Sequence, residues 1–257
     1  MTMQRASTET KQTQNEFIHF EDRGSEHPFI EKVWRCSSER ADTFVSVAAN
    51  NFEMALTKLG GMTFLTLRGP ETLATNVKCP GAGEWVCIRF KAGTFMPRFL
   101  PGSLRNHNDV TLGAATSRSF WLNGSALEYP GFANAETFVE RLTKAGNLAR
   151  DRVVVDTLQR QPRELSLRSA QRHFLHATGL TYRTFRQIER ARYATTLLKE
   201  GALILDVVSR LGYFDQAHLT RSLRRFIGET PTQIMQARKQ LSFLYKTNFA
   251  EIDTVYS

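Results

Sequence analysis

The sequence predicts an α+β protein in two parts, a β-rich barrel-like or sandwich-like domain followed by an all-α domain. Three observations carry this expectation. Short runs rich in aromatic and β-branched residues, punctuated by Gly, Pro and Asn, fill residues 30–112. From about 148 to 240 the apolar residues recur every three or four positions, the helical period. The charge divides at the same point. Residues 148–240 hold 17 of the 34 Lys and Arg but only 8 of the 25 Asp and Glu, so the whole net charge of +9 sits there. A basic block beside a neutral one points to a polyanionic partner, against the plainer alternative of a solvated basic surface.

The elements follow in order. Residues 1–28 read as a disordered tail, because MTMQRASTETKQTQNEF is polar and lacks the apolar stretch of a signal peptide. Residues 29–147 read as the β-rich domain. Its strands are KVWRCS, TFVSVAA, NFEMALTKL, GMTFLTLRG and EWVCIRFK, broken at Asn50-Asn51, Gly60-Gly61, Gly69-Pro70 and Cys79-Pro80-Gly81. Phe44, Phe52, Phe64, Trp85 and Phe90 are candidates to line an effector cavity, although aromatics at this spacing also make plain core. NAETFVERLTKAG predicts a helix, with Asn134 as cap, Phe138 and Leu142 on one face and Gly146 at the end.

Residues 148–240 read as the helical domain. In VVVDTLQRQPRELSLRSAQRHFLHATGL a short apolar face (Val153, Val154, Leu158) is broken at Gln161-Pro162. Ser166 then caps a helix whose inner stripe is Leu167, Ala170, Phe174 and Ala177, and whose outer side carries Arg168, Ser169, Arg172 and His176. Leu167 is expected to fill the space left by the small Ala170. A connector helix of about 19 residues, roughly 28 Å long, runs through Phe185, Ile188, Ala191, Thr195 and Leu198. The pattern then repeats. ILDVVSRLGY is stopped by Gly212, and Asp215 caps a helix with Leu219, Leu223, Phe226 and Ile227 inside. Ala217, His218, Arg221, Arg224 and Arg225 lie outside, Gly228 ends the helix, and Thr230-Pro231 opens another. Two short-helix, turn, basic-helix units on one connector follow the grammar of paired helix-turn-helix motifs, which place a helix in the major groove of double-stranded DNA. Residues 241–257 form a C-terminal tail in which LSFLYK is an apolar anchor candidate.

Other chemistries lack their residues. The histidines His19, His27, His107, His173, His176 and His218 make no HxH pair, and no GxSxG or phosphate-binding loop occurs, so neither an enzyme nor a metal or cofactor is expected. Cys36, Cys79 and Cys87 are odd in number and lack CxxC spacing, which reads as reduced thiols in a cytoplasm. No run approaches 18 apolar residues, so no membrane partner is expected.

Over about residues 150–237 the chain resembles the AraC/XylS family of bacterial transcription regulators. LGYFDQAHLTRSLRRFIGETPTQI is closest to the family signature, through Gly212, Tyr213, Phe214, Leu219, Arg221, Phe226, Gly228 and Pro231. Leu165-Ser166, Arg172, Phe174 and Thr178-Gly179-Leu180 match more loosely, while Ala170 departs from the usual leucine and Leu167 from the usual polar residue. GEWVCIRFKAGTFMPRFLPGSLRNHNDVTLG is similar to the sensory half of some members and implies a cupin-like regulatory domain. The resemblance implies base contacts at Arg168, Gln171, Arg172, Gln216, His218 and Arg221, and phosphate contacts at Ser169, Arg224 and Arg225. It implies control by an effector or by dimerisation, allows a homodimer or a monomer with both units engaged, and brings RNA polymerase in as a partner. The alternatives are an architectural DNA-binding protein without ligand input and a cupin-type enzyme fused to a DNA-binding domain.

Overall fold

The computed structural model describes residues 18–161 and 165–236. The expected anchor at LSFLYK lies outside them. The β-rich part is built on strands β1 (Ile18–Gly24), β2 (Ile30–Ser38), β3 (Asp42–Ser46), β4 (Glu53–Leu59), β5 (Met62–Arg68), β6 (Thr75–Cys79), β7 (Gly83–Phe90), β8 (Thr94–Phe95) and β9 (Val110–Leu112). Six of them form one antiparallel sheet in the order β1-β2-β7-β4-β5-β9. Leu59 pairs with Met62, so β4 and β5 meet through Gly60-Gly61 alone. Both glycines have positive φ, as a two-residue hairpin turn requires.

Strand alternation gives this sheet two different faces. Ile88 and Phe90 of β7 point, with Met54, Leu65 and Leu67, into a core closed by Phe120 and by Phe138 and Leu142 of α1 (Ala135–Lys144). Cys87 points to the opposite face with Trp34 and Ala55. That face also holds two nearly buried ion pairs, Arg89 with Glu53 at 2.5 Å and Lys32 with Asp22 at 2.7 Å.

Two expectations are corrected. Residues 18–24 are strand rather than disordered, because β1 pairs along its whole length with β2. The charges of Glu21, Asp22 and Arg23 hide this strand in the sequence; Arg35 and Lys32 of β2 pair with the first two. No barrel closes among the described residues. β1 and β9 are free edges of the main sheet, while β3 pairs with β6, β8 with β13 (Ala149–Arg150), and β10 (Ala114–Thr116), β11 (Ser119–Leu122) and β12 (Ser125–Glu128) form a sheet of their own.

The helical part comprises α2 (Arg152–Leu158), α3 (Leu167–Thr178), α4 (Tyr182–Lys199), α5 (Ile204–Arg210), α6 (Gln216–Phe226) and α7 (Pro231–Met235). The 18-residue α4 runs through its middle and touches α3, α5, α6 and α7. Its Phe185, Ile188, Ala191 and Leu198 are buried, as the sequence predicts, in a core shared with Phe174, Leu219, Leu223 and Phe226. The helices do not close this core alone: Val45, Val47 and Ala48, from the β-rich part, complete it. Arg192 of α4 is buried too, near Arg89, Glu31, Glu53 and Glu189; burial lowers its pKa to about 10.

Candidate nucleic-acid interface

Helix α6 forms where the sequence places it. Asp215 is extended, and its Oδ1 accepts the His218 N–H at 2.6 Å, satisfying a donor that the first turn leaves unpaired. Leu219, Leu223 and Phe226 anchor one side in the core. Gln216, Ala217, Arg221, Arg224 and Arg225 are exposed on the other, and the first four of these share one open face of the helix with Thr220. The helix therefore shows water a continuous polar and cationic surface. At its far end the Arg225 and Phe226 carbonyls accept the Ala74 and Ala48 N–H groups at 2.8 and 2.7 Å. The last turn is thus hydrogen-bonded to the β-rich part.

Helix α3 is built in the same way. Ser166 Oγ accepts the Ser169 N–H, and Gly179 closes the helix at φ +71°. Phe174 and Ala177 are buried, while Arg168, Gln171, Arg172 and His176 are exposed. Its C-terminal end also meets the β-rich part. Gly179 lies against the backbone of Pro101-Gly102, and His176 packs edge-on to Phe95, ring centres 5.2 Å apart.

Three sequence expectations need qualification. Leu167 is 75% exposed and fills no space beside Ala170, which is itself half-buried; the proposed inner stripe begins one turn later. Ser169 is half-buried. His218 is half-buried as well, with its ring edge-on to Tyr213 and its Nδ1 accepting the Phe214 N–H at 3.3 Å, so one ring nitrogen serves the helix start.

Two fastening residues escaped the sequence reading. Asp151 caps α2 through the Val153 N–H at 2.7 Å, and its other oxygen meets His173 Nδ1 at 2.8 Å, tying α2 to α3. Arg190 of α4 stacks over the Tyr213 ring at 4.2 Å and reaches the Gly212 carbonyl, fixing the turn before α6. An Asp just ahead of an apolar run was a readable cap signal. The Arg190 contact, 22 residues from its partner, left none.

The five effector candidates do not share one wall. Phe52 and Phe90 stack in the main core, ring centres 5.3 Å apart. Phe44 and Trp85 pack on the small cluster of Ile18 and Cys79, and half-buried Phe64 pairs across the sheet with Thr57. Burial pushes Cys36 up to about 12 and Cys87 well above the usual thiol range, so neither is an activated nucleophile. Among the described residues no three His, Cys, Asp or Glu side chains are grouped to hold a metal, and no helix is long and apolar enough to cross a membrane.

No curated protein and no solved structure matches the chain. A family model does match residues 164–237, the segment from the start of α3 through α7, and it is described as a helix-turn-helix domain. Together with the capped basic faces of α3 and α6, this match supports a DNA-binding transcription regulator.

Proposed function

We propose that this chain is a sequence-specific transcription regulator of the AraC/XylS kind, with α3 and α6 inserted in successive major grooves. The observation that carries the reading is the outer face of α6, where exposed Gln216, Ala217, Arg221 and Arg224 share one open surface beside a capped helix start inside the matched segment. An arginine pairs bidentately with guanine, and glutamine with adenine. Arg168, Gln171 and Arg172 on α3, with Gln216 and Arg221 on α6, are the base readers in this reading, and His218 keeps one ring nitrogen for DNA. Ser169, Arg224 and Arg225 hold phosphates and set register. Helix α4, about 27 Å long at the usual rise, is the connector between the two readers, and in this reading it spaces them for successive major grooves. The β-rich part supplies the input, an effector or a second copy of the chain, and passes it on through its contacts with the ends of α3 and α6. RNA polymerase is the downstream partner.

The test uses the full chain, because the helical part borrows core residues from the β-rich part. Duplexes retained from a random pool should converge on a sequence with two boxes about one helical turn apart. Affinity should fall by about 10³-fold or more between 50 and 200 mM salt if six or more phosphates are neutralised. A pool that does not converge, or binding indifferent to salt, overturns the proposal.

A further inference from the structure

Basic faces explain phosphate and guanine contacts, but the starts of α3 and α6 also carry something a solvated cationic face does not need. Leu167, the first residue of α3, is 75% exposed, and Phe214, just ahead of the α6 cap, is 90% exposed, the most of any large apolar side chain among the described residues. Neither sits on a loose segment. Phe214 lies between Tyr213, which is buried and holds Ser222 through its hydroxyl, and Asp215, which caps the helix; its own N–H is bonded to His218. Leu167 follows Ser166, whose hydroxyl caps α3. The backbone therefore presents both side chains from fixed positions.

Both stand at the helix end that faces base edges when such a helix enters the major groove. Exposed Arg168 and Gln171 follow the one within four residues along the chain; exposed Gln216 and Ala217 follow the other within three. The one apolar group on the major-groove floor is the thymine C5-methyl, and leucine or phenylalanine is the matching surface. We infer that Leu167 and Phe214 are specificity-determining residues that read thymine methyls, one at the start of each box. The inference rests on the proposed function and deepens it: the site should pair guanine- and adenine-reading positions with an obligatory thymine at the edge of each box.

The experiment takes the selected duplex and replaces its thymines one at a time with deoxyuridine, which removes only the methyl. The full chain should lose about fourfold in affinity at one thymine per box, the value of one buried methyl group. Phe214→Ala should bind thymine and uracil equally at its own position and still discriminate in the other box, and Leu167→Ala should do the reverse. Phe214→Leu should keep part of the discrimination. Both residues are exposed, so melting temperatures should stay within a degree or two. Uracil substitution that is silent in the wild type, or a loss of the same size in wild type and alanine variants, overturns the inference while leaving the parent reading intact. Phe214→Ala that leaves DNA binding unchanged but abolishes self-association overturns it in favour of a protein contact. Failure to select any sequence overturns the parent reading and this inference with it.

Discussion

Replacing Gly179 by alanine tests whether the end of α3 is seated against the β-rich part. Gly179 has φ +71°, and a Cβ there would lie 2.6 Å from the Gly102 nitrogen and 2.7 Å from the Pro101 carbonyl carbon. The left-handed conformation alone costs a residue with a Cβ about 1–2 kcal/mol. The obstructing atoms are backbone, which cannot rotate away as a side-chain tip does. Restoring an ordinary contact of 3.4 Å moves the two segments apart by about 0.8 Å, enough to loosen the edge-on contact of Phe95 with His176. With overpacking at about 1–3 kcal/mol, the total is about 2–5 kcal/mol. In a chain of this size that lowers the melting temperature by about 4–20 °C. Gly146 is the control: its φ is +68° and nothing lies within 4 Å of its Cβ position, so Gly146→Ala bears the conformational cost alone. Thermal denaturation of both variants decides the matter. If Gly179→Ala falls no further than Gly146→Ala, the close packing of α3 on Pro101-Gly102 is wrong.

The remaining predictions concern DNA and pH. Arg221→Ala should relax base preference at one position, costing about 1–3 kcal/mol on the selected site only, while Arg225→Ala should weaken selected and random duplexes alike, in fluorescence titrations of both; equal uniform losses would mean the facing of α6 is misassigned. Glu136 is held at about 2, chiefly by its hydrogen bonds from Arg23, against an ordinary value of 4.5. A depressed carboxyl pKa adds stability above pH 4.5 that is lost as pH falls toward 2. The melting-temperature gap between wild type and Glu136→Gln should therefore be full at pH 6 and close between pH 4.5 and 2; a gap that persists at pH 2 would refute the assignment.

What the sequence disclosed was mostly local chemistry. Asp215, Ser166, Thr230, Gly179 and Gly228 marked helix ends correctly, because a cap is satisfied by atoms within three or four residues. Leu167 misled because helical projection gives the side a residue faces, not whether packing extends that far along the axis. Side chains lean toward the helix start, so a first-turn residue can overshoot the core it nominally faces. His218 was misjudged in the opposite sense: projection put it outside, and the N–H of Phe214 drew its ring back. The order β1-β2-β7-β4-β5-β9 was illegible, since each pairing outside the β4–β5 hairpin depends on partners distant in sequence or hidden by charge. TFVSVAA read as one strand, but β3 stops at Ser46, and Val47 and Ala48 go on into the core of the helices.

That last detail bears on how the protein is made. Val45, Val47 and Ala48 leave the ribosome about 170 residues ahead of Leu219, Leu223 and Phe226, with which they share a core. At about 5–20 residues per second, the interval is on the order of 10–30 s. For that time a nascent chain with its strands already paired carries an uncovered apolar strip, a natural binding place for a chaperone. Neither the Ala48 nor the Ala74 N–H can find its carbonyl until α6 has been synthesised and turned back. A chain that terminates before α6 would keep its strip exposed and be prone to aggregate, and α6 itself can be seated only after the strands it packs on have long been made.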